Sequence, residues 1–166
     1  MRVLPLPAHE YTRLSLNIMD CNDDSFWDFE NMPPESGYWD FIAHCDGRFC
    51  SPEISFSKAV LSAEEVIDLI ENYSDWQEQG CQDIRLLACY AGQHSDGIAY
   101  EIHKALNVTV KAPRLSIWRN PIWNEGSYMR PYIITDADPN MMELGLLKKL
   151  TNINNPNDGW QYFPDW

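Results

Sequence analysis

The chain has 166 residues, of which 45% are hydrophobic and 22% are charged, so it can bury the core of one domain and is too apolar for a disordered tail. Its net charge of −13 opposes binding to the phosphates of nucleic acids and to anionic lipid surfaces. No apolar run reaches the roughly 18–20 residues that span a bilayer. We therefore expect a single domain over residues 1–166 that binds neither nucleic acids nor membranes.

The first part of the chain predicts two strands joined by an acidic connection. Residues 12–19 alternate polar and apolar side chains, as in a half-buried strand, and residues 38–44 are typical of a buried strand that ends on a histidine. Residues 20–37 are acidic and contain a double proline, which indicates a surface connection with room for one aromatic turn. The pieces at 48–50 and 54–56 then predict a hairpin.

The rest of the chain alternates helices and short apolar strands. Ser62 followed three residues later by Glu65 is a capping box, and the apolar face after it predicts a helix that closes at Gly80. The run 84–88 is typical of a central parallel strand. The remaining predicted elements are a helix at 97–106 capped by Ser95 or Asp96, strands at 108–111 and 132–135, a helix from Asp138-Pro139 through Leu150, and a tail at 151–166 that partly docks on the body.

This order of elements predicts an α/β fold. Strands that alternate with helices of about ten residues imply right-handed crossovers and a mainly parallel sheet with helices on both faces, in three layers. In such sheets, binding sites gather at the carboxyl ends of the strands. His44 and Cys89 end two of the predicted central strands, so we expect both at the same edge of the sheet.

The five cysteines are an odd number and lack the dense spacing of a disulfide framework. We therefore expect reduced thiols and a cytoplasmic setting. The first 13 residues contain two prolines where a signal peptide has an apolar run, so we expect this end to be unprocessed. The five cysteines are Cys21, Cys45, Cys50, Cys81 and Cys89.

His44 and Cys89 are the residue types that cysteine catalysis requires. A base must take the proton of the thiol and later return it to the leaving amine, and backbone amides must bind the oxyanion. Cys89 also lies a few residues before the N-terminus of the helix at 97–106, and if the loop folds back, the positive end of that helix helps to lower the pKa of the thiol. Glycines follow both residues closely, so we expect the amides of Cys89 and of the Cys45–Gly47 loop to bind the oxyanion.

The sequence around these two residues resembles a known family. In caspases, a Gln-Ala-Cys-x-Gly type of motif follows a histidine by about 50 residues, and here Cys89 follows His44 by 45. A closer resemblance is to the caspase-like cysteine peptidase domains at the C-termini of bacterial polymorphic toxins. It covers residues 38–118 and rests on the segments FIAH at 41–44, IRLLACYAG at 84–92, GIAYEIHKALNVTV at 97–110 and Ala112-Pro113.

The resemblance implies a caspase-hemoglobinase type of fold and a cysteine endopeptidase without a cofactor, with Cys89 as the nucleophile and His44 as general base and acid. It further implies a protein substrate, a cognate immunity protein as partner, and a toxin or effector domain that a secretion system delivers into the cytoplasm of a target cell. The family usually has glycine after the histidine, where this chain has Cys45. The loop is therefore longer, the oxyanion site is rebuilt, or the activity is lost.

Four side chains after the strand at 108–111 are candidate substrate contacts. By the resemblance, Trp118 and Trp123 fall where caspase-like enzymes line the substrate groove. The guanidinium groups of Arg114 and Arg119 can bind an acidic side chain of the substrate through two parallel hydrogen bonds.

Other interpretations of the same residues stay open. The acidic charge also fits a non-catalytic interaction protein, such as an immunity protein or a degenerate caspase-like module. A cysteine-dependent transferase or deamidase could use the same two residues. We expect no metal, because the spacing of CxxC or HxxxH is missing from the candidate zinc ligands, which are His44, Cys45 and Cys50 with Cys89 or His94.

Overall fold

Short strands and helices alternate along the described residues, which are 15–56, 59–80 and 82–165 of this computed structural model. The described strands are β1 (Ser15–Asn17), β2 (Tyr38–Ile42), β3 (His44–Cys45), β4 (Cys50–Ser51), β5 (Asp83–Leu87), β6 (Val110–Pro113), β7 (Ile117–Arg119), β8 (Tyr132–Ile134) and β9 (Trp160–Phe163). The described helices are α1 (Asp24–Glu30), α2 (Ala63–Asn72), α3 (Ile98–Leu106) and α4 (Leu144–Thr151). Within these ranges, no helix has the length and apolar character needed to cross a membrane.

A five-stranded sheet in the order β1-β2-β5-β6-β9 forms the centre of the molecule. The first four strands run parallel, and β9 joins the edge antiparallel to β6. The predicted α/β fold with a mainly parallel sheet is confirmed. Two small antiparallel sheets, β3–β4 and β7–β8, lie outside it.

Helices cover both faces of the central sheet, as predicted. On one face, Ile70 of α2 and Ile102 of α3 are fully buried against Phe41 and other apolar residues of the sheet. On the other face, Phe29 of α1 packs in a second apolar cluster with Leu87 and with residues of β7 and β8. The sheet is therefore the middle of three layers.

The capping box at the start of α2 is confirmed. The Ser62 side chain accepts from the amide of Glu65, and the Glu65 carboxylate accepts from the amide of Ser62. The helix ends earlier than predicted, at Asn72. The Ser74 hydroxyl donates to the carbonyl of Ile70, which satisfies one of the free carbonyls of the last turn.

The acidic segment 20–37 was expected to be a surface connection with room for one aromatic turn, and the structure has the helix α1 there, with side chains that are part of the core. Asp23 caps α1 by accepting from the amide of Ser25, and Phe26 and Phe29 are buried beneath it. The three-residue spacing of the two rings places both on one face of the helix, which is enough to anchor a short helix to the sheet.

The hairpin is also placed differently from the prediction. Its strands are β3 and β4, and residues 54–56 are not part of a strand. The Asp46 side chain accepts from the amides of Arg48 and Phe49. These hydrogen bonds tighten the turn between β3 and β4, so the hairpin is short.

The caps of the later helices differ in part from the prediction. Gly97 is the N-cap of α3 and makes no side-chain cap, and the amide of Ile98 donates to the carbonyl of Gly47 at 2.9 Å. The predicted cap by Ser95 or Asp96 is therefore wrong. The predicted helix through Leu150 is divided into a 3-10 turn (Pro139–Met141), which Asp138 caps, and α4.

The docked part of the tail is β9, in which Trp160 and Phe163 are buried. This confirms that part of the tail packs on the body. The predicted strand at 12–19 is observed as β1, and its residues 12–14 lie outside the described residues.

Candidate functional site

The carboxyl ends of β2 and β5 bring His44 and Cys89 to the same edge of the sheet. The two strands are paired up to Ile42 and Leu87, and the amide of Ala43 donates to the carbonyl of Leu87 at 3.4 Å. His44 and Cys89 both line a cavity of about 310 Å³, which we call the Cys89 cavity. The predicted juxtaposition at one edge of the sheet is therefore observed.

The walls of the Cys89 cavity are mostly apolar and come from α1, from the loop after β4 and from β7. Three further predicted residues, Cys45, Trp118 and Arg119, line it as well. The complete lining is Met19, Ser25, Asp28, Phe29, Ala43, His44, Cys45, Ile54, Phe56, Cys89, Ser116, Ile117, Trp118 and Arg119. Apolar side chains and a few polar groups are the usual composition of a ligand site.

Asp23 holds the imidazole of His44. The Nε2 atom of His44 lies 2.6 Å from Oδ2 of Asp23, and only 8% of His44 is exposed. Burial raises the pKa of Asp23, but the hydrogen bonds from the amide of Ser25 and from the His44 ring outweigh it, and the pKa is lowered. Asp23 is therefore a carboxylate at neutral pH.

The bond to Asp23 also decides which nitrogen of His44 can act as a base. A carboxylate only accepts hydrogen bonds, so Nε2 carries the hydrogen and Nδ1 holds the free lone pair of the neutral ring. Sequence reasoning missed Asp23, since it assigned residues 20–37 to a surface connection. The signal that could have found it is the N-cap pattern of Asp23 and Ser25 before two aromatic residues in helical spacing.

The thiol of Cys89 is in its protonated form at neutral pH. Burial raises the pKa of Cys89, and the hydrogen bonds to Ile117 and Ser116 offset this only in part. The Sγ atom donates to the Ile117 carbonyl at 3.9 Å. No hydrogen bond joins Cys89 to His44 in the described structure, so the thiol and the imidazole do not form a resting ion pair.

The backbone after Cys89 turns sharply. Tyr90 has a φ of 60°, in the left-handed region that an L-residue seldom adopts, and its amide donates to the carbonyl of Leu115. The amide of Gly92 donates to the carbonyl of Pro113. A Cβ atom at Gly92 would lie 2.6 Å from the carbonyl oxygen of Ala112, so only glycine permits this approach. Among the described residues, no backbone carbonyl accepts from the amide of Cys89.

A disulfide joins Cys45 to Cys50 across the β3–β4 hairpin, with the Cα atoms 4.1 Å apart. The expectation of five reduced thiols is therefore wrong, because the hairpin brings together two cysteines that are five residues apart. Both backbone groups of Cys50 bond to Leu61. The two cysteines thus form a pair without mutual backbone hydrogen bonds, and the amide of Cys45 points away from β4.

Three of the predicted residues lie outside the Cys89 cavity, namely Gly47, Arg114 and Trp123. The backbone of Gly47 has a φ of 104°, and its carbonyl binds the first amide of α3. A side chain at Gly47 would lie 2.9 Å from the His94 ring, so this glycine serves the junction with α3. Arg114 is exposed and donates from Nε to the Gln161 side chain at 3.1 Å.

The residues weighed as zinc ligands do not gather. In the described parts of the chain, no three His, Cys, Asp or Glu side chains are close enough together to hold a metal ion. The disulfide already occupies two of the candidate ligands, Cys45 and Cys50.

A family model described as a domain of unknown function (DUF8616) matches residues 14–130, and the chain belongs to that family. The match includes His44, Cys89, Asp23 and all residues that line the Cys89 cavity. No curated protein and no solved structure matches the chain significantly.

Proposed function

We propose that this member of a family of unknown function is a cysteine endopeptidase. Cys89 is the nucleophile, His44 is the general base and acid, and Asp23 orients the imidazole. The observation that carries the proposal is the common cavity of Cys89 and His44, in which His44 is also hydrogen-bonded to a carboxylate at 2.6 Å. Nucleophile, base and orienting group are the three parts of this type of chemistry.

The reaction starts when a peptide carbonyl enters the Cys89 cavity. Nδ1 of His44 takes the proton of the Cys89 thiol while the sulfur forms a bond to the carbonyl carbon, and the carbonyl oxygen becomes an oxyanion. The C–N bond then breaks, and the leaving amine takes the proton from Nδ1. Water activated by His44 hydrolyses the resulting thioester and releases the acid and the free thiol.

Two features of the site support particular steps. The amides of Cys89 and Cys45 are the donors offered to the oxyanion, because one lacks a carbonyl acceptor and the other points away from β4. The negative charge of Asp23 stabilises the imidazolium that forms after proton transfer. Since the pKa of Cys89 is raised, deprotonation belongs to the substrate complex rather than to the free enzyme.

The family resemblance extends the proposal to a caspase-like toxin or effector domain with a cognate immunity protein. The three-layer fold with a mainly parallel sheet fits this resemblance. The Cys45–Cys50 disulfide removes the argument from reduced thiols for a cytoplasmic setting. It suits a domain that passes through an oxidising compartment, as a secreted effector does.

The second candidate function is a non-catalytic interaction protein that binds through its acidic surface. The protonated thiol of Cys89, which donates to Ile117 rather than to His44, favours this candidate. In a degenerate module, Cys89 is a small, partly buried residue that packs against the second apolar cluster and has no catalytic role.

A peptide library incubated with the wild-type chain, Cys89→Ala and His44→Ala separates the two candidates. We expect cleavage by the wild type and a loss of at least about a thousandfold in each variant. His94→Ala is the matched histidine control, and Cys21→Ala the matched free-cysteine control. Both should cleave like the wild type and unfold at the same temperature. The same cleavage by Cys89→Ala as by the wild type refutes the assignment of the nucleophile.

A further inference from the structure

A second cavity of about 260 Å³ adjoins the Cys89 cavity, and we call it the Trp27 cavity. Asp28 and Arg119 line both cavities, so the two cavities are neighbours beside α1 and β7. The complete lining of the Trp27 cavity is Trp27, Asp28, Asn31, Met32, Pro33, Arg119, Trp123 and Pro131. Nothing in the proposed chemistry uses this second cavity.

The walls of the Trp27 cavity combine the apolar side chains of Trp27, Met32 and Trp123 with polar groups. The indole of Trp27 is 43% exposed although it is large and apolar. Its Nε1 atom donates to the carbonyl of Cys21 at 3.2 Å, which fixes the ring. The amide of Trp123 donates to the carbonyl of Asn120, and buried Met32 supplies an apolar surface. Two indole rings at one cavity, one of them fixed by a hydrogen bond, are the type of surface that anchors an apolar side chain of a partner.

The boundary between the cavities carries one charge of each sign. Asp28 and Arg119 form no ion pair with each other, and in the ranges that the structure describes neither side chain has another ion-pair partner. A passing peptide backbone offers a donor and an acceptor for these groups. The Asp28 carboxylate can accept from a peptide N–H, and the Arg119 guanidinium can donate to a peptide C=O.

We infer that the Trp27 cavity is a second substrate subsite that takes an apolar, preferably aromatic, side chain. This inference rests on the proposed peptidase function. In an extended peptide, side chains two positions apart lie on the same side and about 6.6–6.8 Å apart. With its reacting residue in the Cys89 cavity, such a peptide can place its second neighbour in the adjoining Trp27 cavity, with the backbone between them at Asp28 and Arg119, which line both cavities. The substrate class is an extended segment with the pattern apolar–any–aromatic or its reverse.

The test uses octapeptides with phenylalanine at the reacting position and either tryptophan or alanine two positions before or after it. We expect the wild type to cleave one of the two tryptophan peptides about tenfold or more faster in kcat/KM than the matching alanine peptide. Trp123→Ala should bring the ratio of kcat/KM for the tryptophan peptide to that for the alanine peptide close to one, and Trp123→Phe should restore most of the preference. Tyr128→Ala, which removes an aromatic ring that is 79% exposed elsewhere, is the matched control.

A binding experiment keeps this inference separate from the peptidase proposal. Cys89→Ala should bind the preferred tryptophan peptide more tightly than the alanine peptide, and Cys89→Ala/Trp123→Ala should bind the two equally. If no peptide is cleaved, the peptidase proposal fails, and this titration alone decides whether the Trp27 cavity binds a side chain. Equal binding of both peptides to Cys89→Ala, or cleavage with a preference that Trp123→Ala leaves unchanged, overturns the inference.

Discussion

The two faces of the central sheet are built in different ways. The face beneath α2 and α3 is apolar throughout, with Phe41, Leu86, Ile70 and Ile102 fully buried. The face beneath α1 buries charged side chains in its middle and carries the candidate site at its edge. The first face stabilises the fold by removing apolar area from water. The second depends on specific pairs of polar groups, and these pairs position the segment that holds Asp23.

The buried charges form a network across the second face. Arg85 on β5 donates to both carboxylate oxygens of Asp40 on β2, at 2.7 and 2.8 Å, and to the carbonyl of Pro33 at 3.0 Å. Lys111 on β6 donates to Glu35 at 2.8 Å and lies 4.9 Å from the centre of the Trp160 ring. Residues Pro33 and Glu35 follow α1 in the chain. The network therefore ties the end of the α1 segment to the sheet.

The largest expected effect comes from breaking this network. Arg85→Met leaves the carboxylate of Asp40 buried without its main partner, so we expect a loss of about 3–5 kcal/mol in the free energy of unfolding. Ile102→Val on the apolar face removes one buried methyl group and should cost about 0.5–1.5 kcal/mol. Urea denaturation measures both values.

A double variant tests whether Arg85→Met lowers the free energy of unfolding because the Asp40 carboxylate has lost its guanidinium partner. Asp40→Leu combined with Arg85→Met should recover most of the lost stability, because no buried charge then lacks a partner. If the double variant is as unstable as the sum of the two single changes, the pair stabilises the fold by itself and the contrast between the two faces is wrong.

The apolar face could be predicted from the sequence because its signals are local. The capping box of Ser62 and Glu65, the helical spacing after it and the run IRLLA each occupy fewer than about twelve residues, so periodicity alone located α2, β5 and their order. The same reasoning placed His44 and Cys89 at one edge of the sheet, since a central strand ends two residues before each of them.

The polar face could not be predicted because its signals are not local. Arg85 and Lys111 look like surface residues in the sequence, and only the strand register places them opposite Asp40 and each other. Asp23 and His44 are 21 residues apart, and the acidic neighbours of Phe26 and Phe29 concealed the helix that brings Asp23 to the histidine. The disulfide likewise required knowledge of where the hairpin turns.

The next expected effect concerns Asp23 itself. Asp23→Asn keeps a good N-cap for α1 but removes the charge that faces the His44 ring. We expect kcat to fall about tenfold to a hundredfold with little change in KM, because Asp23 does not line the Cys89 cavity. Asp24→Asn removes the same charge from the first turn of the same helix and is the matched control. An equal loss of kcat in both variants would show that the effect comes from the total charge near the start of α1 and not from the contact between Asp23 and His44.

The pH dependence of stability gives Asp23→Asn an independent readout. The pKa of Asp23 is lowered in the folded protein, so its interactions stabilise the fold above the ordinary carboxyl pKa and are lost as the pH falls through the lowered value. The free energy of unfolding of the wild type should therefore exceed that of Asp23→Asn at pH 7, and the difference should shrink towards pH 3. A difference that does not depend on pH contradicts the assignment of Asp23 as the charged partner of His44.

The smallest expected effect distinguishes two arginines that are close in the sequence and separated in the structure. Arg119 lines the Cys89 cavity, whereas Arg114 is bonded to Gln161 outside it. A guanidinium at the cavity favours substrates with an acidic residue near the scissile bond, and since Arg119 is exposed to water we expect a preference of about tenfold in kcat/KM over a neutral residue. Arg119→Ala should abolish that preference, and Arg114→Ala should leave it unchanged.

Ionic strength sharpens the comparison of the two arginines. The net charge of −13 repels acidic peptides at long range, and salt screens this repulsion at distances beyond about 8–10 Å. Raising the salt concentration should therefore speed the capture of acidic peptides equally in the wild type and in Arg114→Ala, while the part of the preference that depends on contact with Arg119 becomes smaller. If both arginine variants retain the wild-type preference for acidic peptides at every salt concentration, neither guanidinium binds the acidic residue of the substrate. Specificity would then reside in the apolar walls of the two cavities alone.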